Sequence, residues 1–327
     1  MIKNVRSTSF TRWTLVSCLA LVLAAPGWTG ARSQFSGIVV FGTSLSDAGN
    51  AFVLLGDAAT PPDFMLDPFL IPSAPYAKGG HHFTNGATWV EQFARSVGLA
   101  GSVRPALATT DPGVTNFAVG AARAYNDGIN FNLTRQVDTF LQRSGGVASP
   151  QALYAIEMGS NDIRDAFVVY AGGGDGGPIL QAALSSIAGN IQRLYVAGAR
   201  EFLVWVAPNI ALTPAIRSLG PGAQALATAV TQAFNGGLDL VLAQLSVGLP
   251  GISFARLDAY EILNEVVASP GAFDMTTVTI PCLTPNIAPF SCKNADEFLF
   301  WDGIHPTKAV HGITAQEAGQ AISARAR

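Results

Sequence analysis

Short, wholly apolar runs that end at a glycine or a polar turn, spaced by longer amphipathic stretches, restrict this chain more than any other feature. Residues 37–41 (Gly-Ile-Val-Val-Phe) run into Gly42, and residues 153–157 and 202–206 repeat the pattern. Residues 252–257 and 116–119 are weaker versions of it. A strand that is apolar on both faces needs cover on both, as strands of a parallel sheet have. Between these runs, residues 179–197, 222–245, 260–267 and 307–322 carry helical spacing with few breakers. Strands alternating with helices predict an α/β protein, a three-layer α/β/α sandwich around a parallel sheet. No repeat and no linker divides the chain, and the glycine-rich run at 172–177 reads as a surface loop. Residues 32–327 are therefore expected to form a single domain. In open sheets of this kind, functional residues collect beyond the carboxyl ends of the strands.

Hydrophobic residues make up 49% of the 327 and charged residues 13%, ample material for a buried core. The net charge is −3 with no block of Lys and Arg, which removes the electrostatic footprint of a nucleic-acid partner. The first residues read as an export signal. Lys3, Arg6 and Arg12 precede the apolar run 13–25, and Thr29-Gly30-Ala31 offers small residues for cleavage. That run is shorter than the roughly 20 apolar residues that span a bilayer. Residues 1–31 are read as a signal peptide, and the mature protein as secreted, extracellular or periplasmic. Of three cysteines, Cys18 leaves with this segment. Cys282 and Cys292 remain, an even pair expected to close a disulfide in an oxidising compartment.

Chemistry-bearing residues fall where the strands end. Ser44 follows Gly42 by two residues, and is expected at the start of a helix, where exposed N–H groups and the dipole favour a developing anion. The surrounding Gly42-Thr43-Ser44-Leu45-Ser46 is not the G-x-S-x-G elbow, because Ser46 occupies the second glycine position. Near the C-terminus, Asp302-Gly303-Ile304-His305 spaces a carboxylate and an imidazole across a glycine-containing turn. A serine nucleophile needs a base, and the base needs a carboxylate to hold its tautomer. A metal site from Asp302, His305 and His311 is the rival, but no H-E-x-x-H or cysteine ligand set accompanies it. Gly120 and Asn161 follow two further strands and can supply a backbone N–H and a side-chain amide to an oxyanion.

Taken together and in this order, Ser44, Gly120, Asn161 and Asp302-x-x-His305 resemble the blocks of the GDSL/SGNH hydrolases, from about residue 37 to the C-terminus. Phe83-Thr84-Asn85-Gly86 with Trp89 and Glu91, and the cysteine pair ahead of Trp301-Asp302, are similar to the lipase-like subgroup. The resemblance implies a flavodoxin-like sheet of about five parallel strands and no cofactor. It implies Ser44 as nucleophile, His305 as base, Asp302 as its orienter, and Ser44, Gly120 and Asn161 as oxyanion donors. Three departures stand out. Thr43 occupies the position of the usual Asp. Ala121 replaces a frequent second glycine, so the donor N–H belongs to either Gly120 or Ala121. His82 stands where an Arg is frequent; His81 and His82 are read as loop residues.

The segment 61–76 is rich in proline and aromatics and either lines an apolar acyl pocket or packs over the sheet edge. A pocket there suits small-molecule aryl esters or lipid esters, with contact to lipid surfaces as a corollary. Phospholipase or acyltransferase action on membrane lipids, and a catalytically weak ester- or glycan-binding homologue, are the alternatives.

Overall fold

The computed structural model describes residues 34–59, 64 and 66–325. The signal peptide expected at residues 1–31 lies outside the described residues. Four strands, β1 (Ile38–Gly42), β2 (Leu153–Glu157), β3 (Glu201–Val206) and β4 (Ser253–Asp258), pair in parallel in that order. Ile38 lies opposite Leu153, Leu153 opposite Glu201, and Glu201 opposite Ser253. On the free side of β1, residues 115–119 run parallel to it, tied by Val40 N to Thr115 O (2.9 Å), Phe117 N to Val40 O (2.8 Å) and Val119 N to Gly42 O (3.1 Å). Five parallel segments thus stand in the spatial order second, first, third, fourth, fifth, the flavodoxin-like arrangement, with its switch point at the end of β1.

The segment 115–119 is irregular for an identifiable reason: side chains take over part of its hydrogen bonding. Asn50 Nδ2 donates to Asn116 O and Ala118 O (both 2.8 Å), and Asn116 Oδ1 accepts from Ala118 N (3.0 Å).

The helices are α1 (Asn50–Leu55), α2 (Trp89–Ser96), α3 (Leu133–Arg143), α4 (Ser160–Ala171) and α5 (Gly177–Ala197). They continue with α6 (Pro214–Arg217), α7 (Pro221–Gly248), α8 (Ala259–Ala268) and α9 (Lys308–Arg325). Alternation along the strands sorts the core into two layers. Val39, Phe41, Tyr154, Ile156, Phe202 and Val204 pack with α3, α4, α5 and α7. Their neighbours Val40, Ala155, Leu203, Trp205, Ala255 and Leu257 pack with α2 and α9. β1 and β2 are buried at every position, which is why they read as apolar runs, broken only by Glu157 at the end of β2.

Helices α2, α3, α4 and the short α6 fall outside the helical stretches expected from the sequence. α2 is started by Thr88, whose N–H and hydroxyl both reach Glu91 Oε2 at 2.8 Å. The buried positions of α4 include Asn161 and Asp162, so its inward face lacks a clean apolar stripe. The glycine run at 172–177 closes α4 and opens α5.

A second, smaller parallel pair, β5 (Thr277–Pro281) and β6 (Phe298–Phe300), brackets the loop closed by the Cys282–Cys292 disulfide. Cys282, Leu283, Trp301 and Tyr76 pack there as one buried cluster, which anchors the chain immediately before Asp302.

Candidate active site

β1 delivers its C-terminal end to the switch point, and residues 43–46 turn back at once, with Ser46 N donating to Thr43 O (3.1 Å). The expectation that Ser44 opens a helix is corrected here: α1 begins only at Asn50. Asp47 is the cause. Its fully buried carboxylate accepts the N–H groups of Gly49 (2.8 Å), Asn50 (2.6 Å) and Ala51 (3.0 Å), so the helix starts beyond it. Ser44 therefore does not itself open a helix. Its own N–H has no partner among the described residues.

The histidine is held by a turn that caps itself. Asp302 Oδ1 accepts Ile304 N (2.9 Å) and His305 N (2.7 Å). Asp302 Oδ2 accepts His305 Nδ1–H (2.7 Å) and the hydroxyl of Tyr76 (2.8 Å). A carboxylate with no solvent exposure thus receives four donors. His305 Nε2 then faces Ser44 Oγ at 2.8 Å. Burial first, and the charge and hydrogen bond of Asp302 next, hold the Tyr76 hydroxyl well above its ordinary pKa, so it remains a donor.

Neighbouring residues lock this turn in place. Gly303 donates to Leu70 O (2.9 Å), and a Cβ there would lie 1.9 Å from Phe69 O, so only glycine admits the 69–70 strap. The Phe83-Thr84-Asn85 stretch acts from the other side. Phe83 lies 5.5 Å from the His305 ring, Thr84 Oγ1 donates to Pro306 O (2.7 Å), and Asn85 Oδ1 accepts Lys308 N (2.7 Å).

Of the three expected oxyanion donors, two line the cavities at Ser44 with a hydrogen to offer. Asn161 gives one amide hydrogen to Ala122 O (2.8 Å), which leaves the second. Gly120 departs from expectation: its N–H is donated to Asp47 Oδ2 (2.8 Å). The next residue, Ala121, is in the left-handed region (φ 63°), and its N–H is unpartnered among the described residues. Of the two alternatives for that block, the free N–H is that of Ala121.

Thr43, in place of the usual Asp, is explained by Glu157 at the end of β2. Thr43 N donates to Glu157 Oε2 (2.8 Å), and Thr43 Oγ1 reaches both carboxylate oxygens (2.9 and 3.1 Å). Burial raises Glu157 to about 7 against the lowering effect of Thr43 and Ser46. Burial likewise raises Asp47 to about 6, although four backbone N–H groups oppose it.

The remaining histidines have structural partners. His82 lies outside the helices and strands, as expected of a loop residue, but it is buried: Nε2 pairs with Glu91 (2.8 Å) and Nδ1 contacts Gly79 O (2.6 Å). Burial lowers its pKa, but Glu91 outweighs that and raises it on balance. His81 stacks on Phe52. His311 Nδ1 accepts from Trp89 N (3.2 Å), and burial lowers it to about 3. Among the described residues, no three His, Cys, Asp or Glu side chains are grouped to hold a metal ion.

Two cavities meet at Ser44. One is deep and apolar, walled by Phe167, Trp205, Ile210, Ile216, Leu263 and Phe300, with Ser44 and His305 also on its lining. The other contains Ala121, Asn130, Arg135 and Arg164, again with Ser44 and His305. Phe69 and Ile71 of the aromatic segment line the apolar cavity, whereas Phe64 and Tyr76 pack in the disulfide cluster, so that segment divides between its two expected roles.

A parallel five-segment sheet with serine, histidine and aspartate linked in series at its switch point is the arrangement of a flavodoxin-like hydrolase. The chain belongs to the GDSL-like Lipase/Acylhydrolase family, matched across residues 38–318. Two GDSL esterase/lipases of Arabidopsis thaliana are similar to it: one is 25% identical (85% of this chain, 89% of the relative), another 27% identical (86% and 80%). Among solved structures, an extracellular lipase of Streptomyces rimosus aligns over 88% of this chain and 99% of its own, at 15% identity and a TM-score of 0.39.

Proposed function

We propose that this protein is a secreted serine ester hydrolase in which Ser44 is the nucleophile, His305 the general base and Asp302 the group that orients it. The observation that carries this reading is the unbroken series Asp302 Oδ2, His305 Nδ1, His305 Nε2, Ser44 Oγ, at 2.7 and 2.8 Å, at the junction of two cavities.

The steps follow from that series. Ser44 Oγ attacks the ester carbonyl as His305 Nε2 takes the hydroxyl proton; Asp302 stabilises the resulting imidazolium. Negative charge builds on the former carbonyl oxygen, where the N–H of Ser44, the N–H of Ala121 and the Asn161 amide are the available donors. Collapse of the tetrahedral species breaks the C–O bond, and His305 returns the proton to the departing alcohol. Water then attacks the acyl-Ser44 ester by the same proton path, releasing the acid. The apolar cavity suits the acyl chain.

The test is hydrolysis of short-chain p-nitrophenyl esters by protein lacking residues 1–31. Ser44→Ala should lower kcat by about 10⁴-fold or more while the thermal melt is retained. Activity surviving Ser44→Ala, or lost instead in Ser46→Ala, would refute the assignment. Export is read from the N-terminus of the mature protein, expected near residue 32, and the disulfide agrees with an oxidising destination.

A further inference from the structure

The cavity on the far side of Ser44 from the apolar one has an unusual charge. Its lining holds two arginines, Arg135 and Arg164, and no aspartate or glutamate, in a chain whose net charge is −3. Arg164 lines both cavities, so its side chain stands at their junction with Ser44 and Asn161.

Neither arginine has a carboxylate partner among the described residues. Arg164 is half-buried on α4 and takes part in no hydrogen bond or ion pair there. The acids near it are engaged elsewhere. Asp165 is gripped by Arg123 through Nε (2.8 Å) and Nη2 (3.0 Å), and accepts the Tyr125 hydroxyl (3.1 Å). Asp67 folds onto its own loop, taking the N–H groups of Phe69 (2.8 Å) and Ile71 (2.9 Å). Asp162 accepts Ala124 N and Tyr125 N. Arg135, at the exposed rim, lies over the Phe131 ring at 4.9 Å. Burial and the nearby Arg123 together push Arg164 below the usual guanidinium pKa, only partly offset by Asp165 and Asp67. A cation withdrawn from water without a partner is destabilising, and a structural arginine would have been paired.

We propose that Arg164, assisted by Arg135, recognises an anionic group, phosphate or carboxylate, on the alcohol side of the ester whose acyl chain occupies the apolar cavity. This rests on the ester-hydrolase reading of Ser44. The planar fork of a guanidinium matches both anions, and desolvation in the cavity strengthens the charge-assisted bonds. The other cavity is walled mainly by apolar side chains, so the acyl chain fits there while the anion meets Arg164 at the junction and Arg135 beyond it. The preferred substrate is then an anionic amphiphile rather than a neutral ester.

The experiment compares esters that share one acyl group. These are para-butyryloxybenzoate, its uncharged methyl ester analogue, and para-butyryloxyphenyl phosphate. Intrinsic differences in leaving-group reactivity cancel when wild type and Arg164→Gln are compared ester by ester. Arg164→Gln should lower kcat/KM on the anionic esters by about tenfold more than on the neutral one, mainly through KM, with part of the loss restored in Arg164→Lys. The carboxylate and phosphate arms distinguish the two anions, and selective loss on either supports the site. Equal loss on charged and neutral esters would overturn it. Binding of decyl phosphate by calorimetry supplies a readout independent of turnover, with about tenfold weaker binding expected in Arg164→Gln. No turnover of any ester, with decyl phosphate still bound through Arg164, would sink the hydrolase reading and keep the anion site. Turnover with the anionic preference unmoved, and decyl phosphate bound alike by both proteins, would do the reverse.

Discussion

The hydroxyl of Tyr76 donates to Asp302 Oδ2 at 2.8 Å across 226 residues of chain, on the same oxygen that holds His305 Nδ1. Tyr76 touches no reacting atom in the proposed mechanism; it is a positioning residue acting through Asp302. Tyr76→Phe removes one of four donors from a buried carboxylate, which costs about 1.5–3 kcal/mol for a bond to a charged group. We expect kcat to fall about tenfold or more with KM little changed, and the pH–rate profile to shift as the Asp302–His305 pair is perturbed. An unchanged kcat and profile would show that the remaining three donors suffice.

Asp302→Asn tests the same series from the carboxylate. An amide nitrogen beside Nδ1 favours the tautomer that puts a proton on Nε2, facing Ser44. In serine triads that reversal costs about 10⁴-fold in kcat. Retention of more than a tenth of the wild-type rate would argue against Asp302 as orienter.

Restoring the family's usual residue should harm this protein. Thr43→Asp replaces a hydroxyl that donates to both oxygens of Glu157 with a second buried carboxylate. The cost is about 2 kcal/mol or more. Because Glu157 is raised to about 7, a shared proton is available at pH 5 and scarce at pH 8, so the loss should be larger at pH 8. Urea melts at the two pH values decide it; equal loss at both would show that the pair does not interact.

Glu157 also imposes a pH dependence on folding. Its folded pKa of about 7 lies above the ordinary 4.5, so the folded state binds more protons between those values. The stability it contributes is complete below about pH 4.5 and is lost as pH rises to 7, by an amount of order 3 kcal/mol. Asp47 and Asp162, raised from 3.8 to about 6, act in the same direction. Glu157→Gln should therefore flatten the decline between pH 5 and 7 without abolishing it. A decline identical to wild type would exclude Glu157 as a contributor.

Gly303→Ala forces a methyl to within 1.9 Å of Phe69 O, in a segment that also lines the apolar cavity. A loss of about 1–3 kcal/mol in stability is expected, with KM raised for longer acyl chains as Phe69 is displaced. Unaltered KM across an acyl-length series would show that the 69–70 strap moves without reaching the cavity.

How much of this was legible in the sequence varied with distance along the chain. The apolar runs of β1, β2 and β3 were plain because a covered parallel strand is apolar at nearly every position, Glu157 and Glu201 at strand ends being the exceptions. Asp302 and His305 were legible because they lie three positions apart and one turn joins them. The helical start expected at Ser44 failed because Asp47 accepts three consecutive backbone N–H groups and delays α1 to Asn50. Whether Gly120 or Ala121 carries a free N–H could not be read from their letters. Asp47 decides it, by taking the first.

By itself the amino-acid sequence determined the layering and the short-range geometry: alternation along each strand, the self-capping Asp302 turn, and a serine just beyond the first strand. Those are local consequences of side-chain periodicity and of bonds within a few residues. Only the tertiary structure decided that Tyr76 reaches Asp302, that Thr43 meets Glu157, and that Arg164 stands between two cavities with no carboxylate partner among the described residues. Each depends on which distant segments burial brings within about 3 Å, the range over which a hydrogen bond acts.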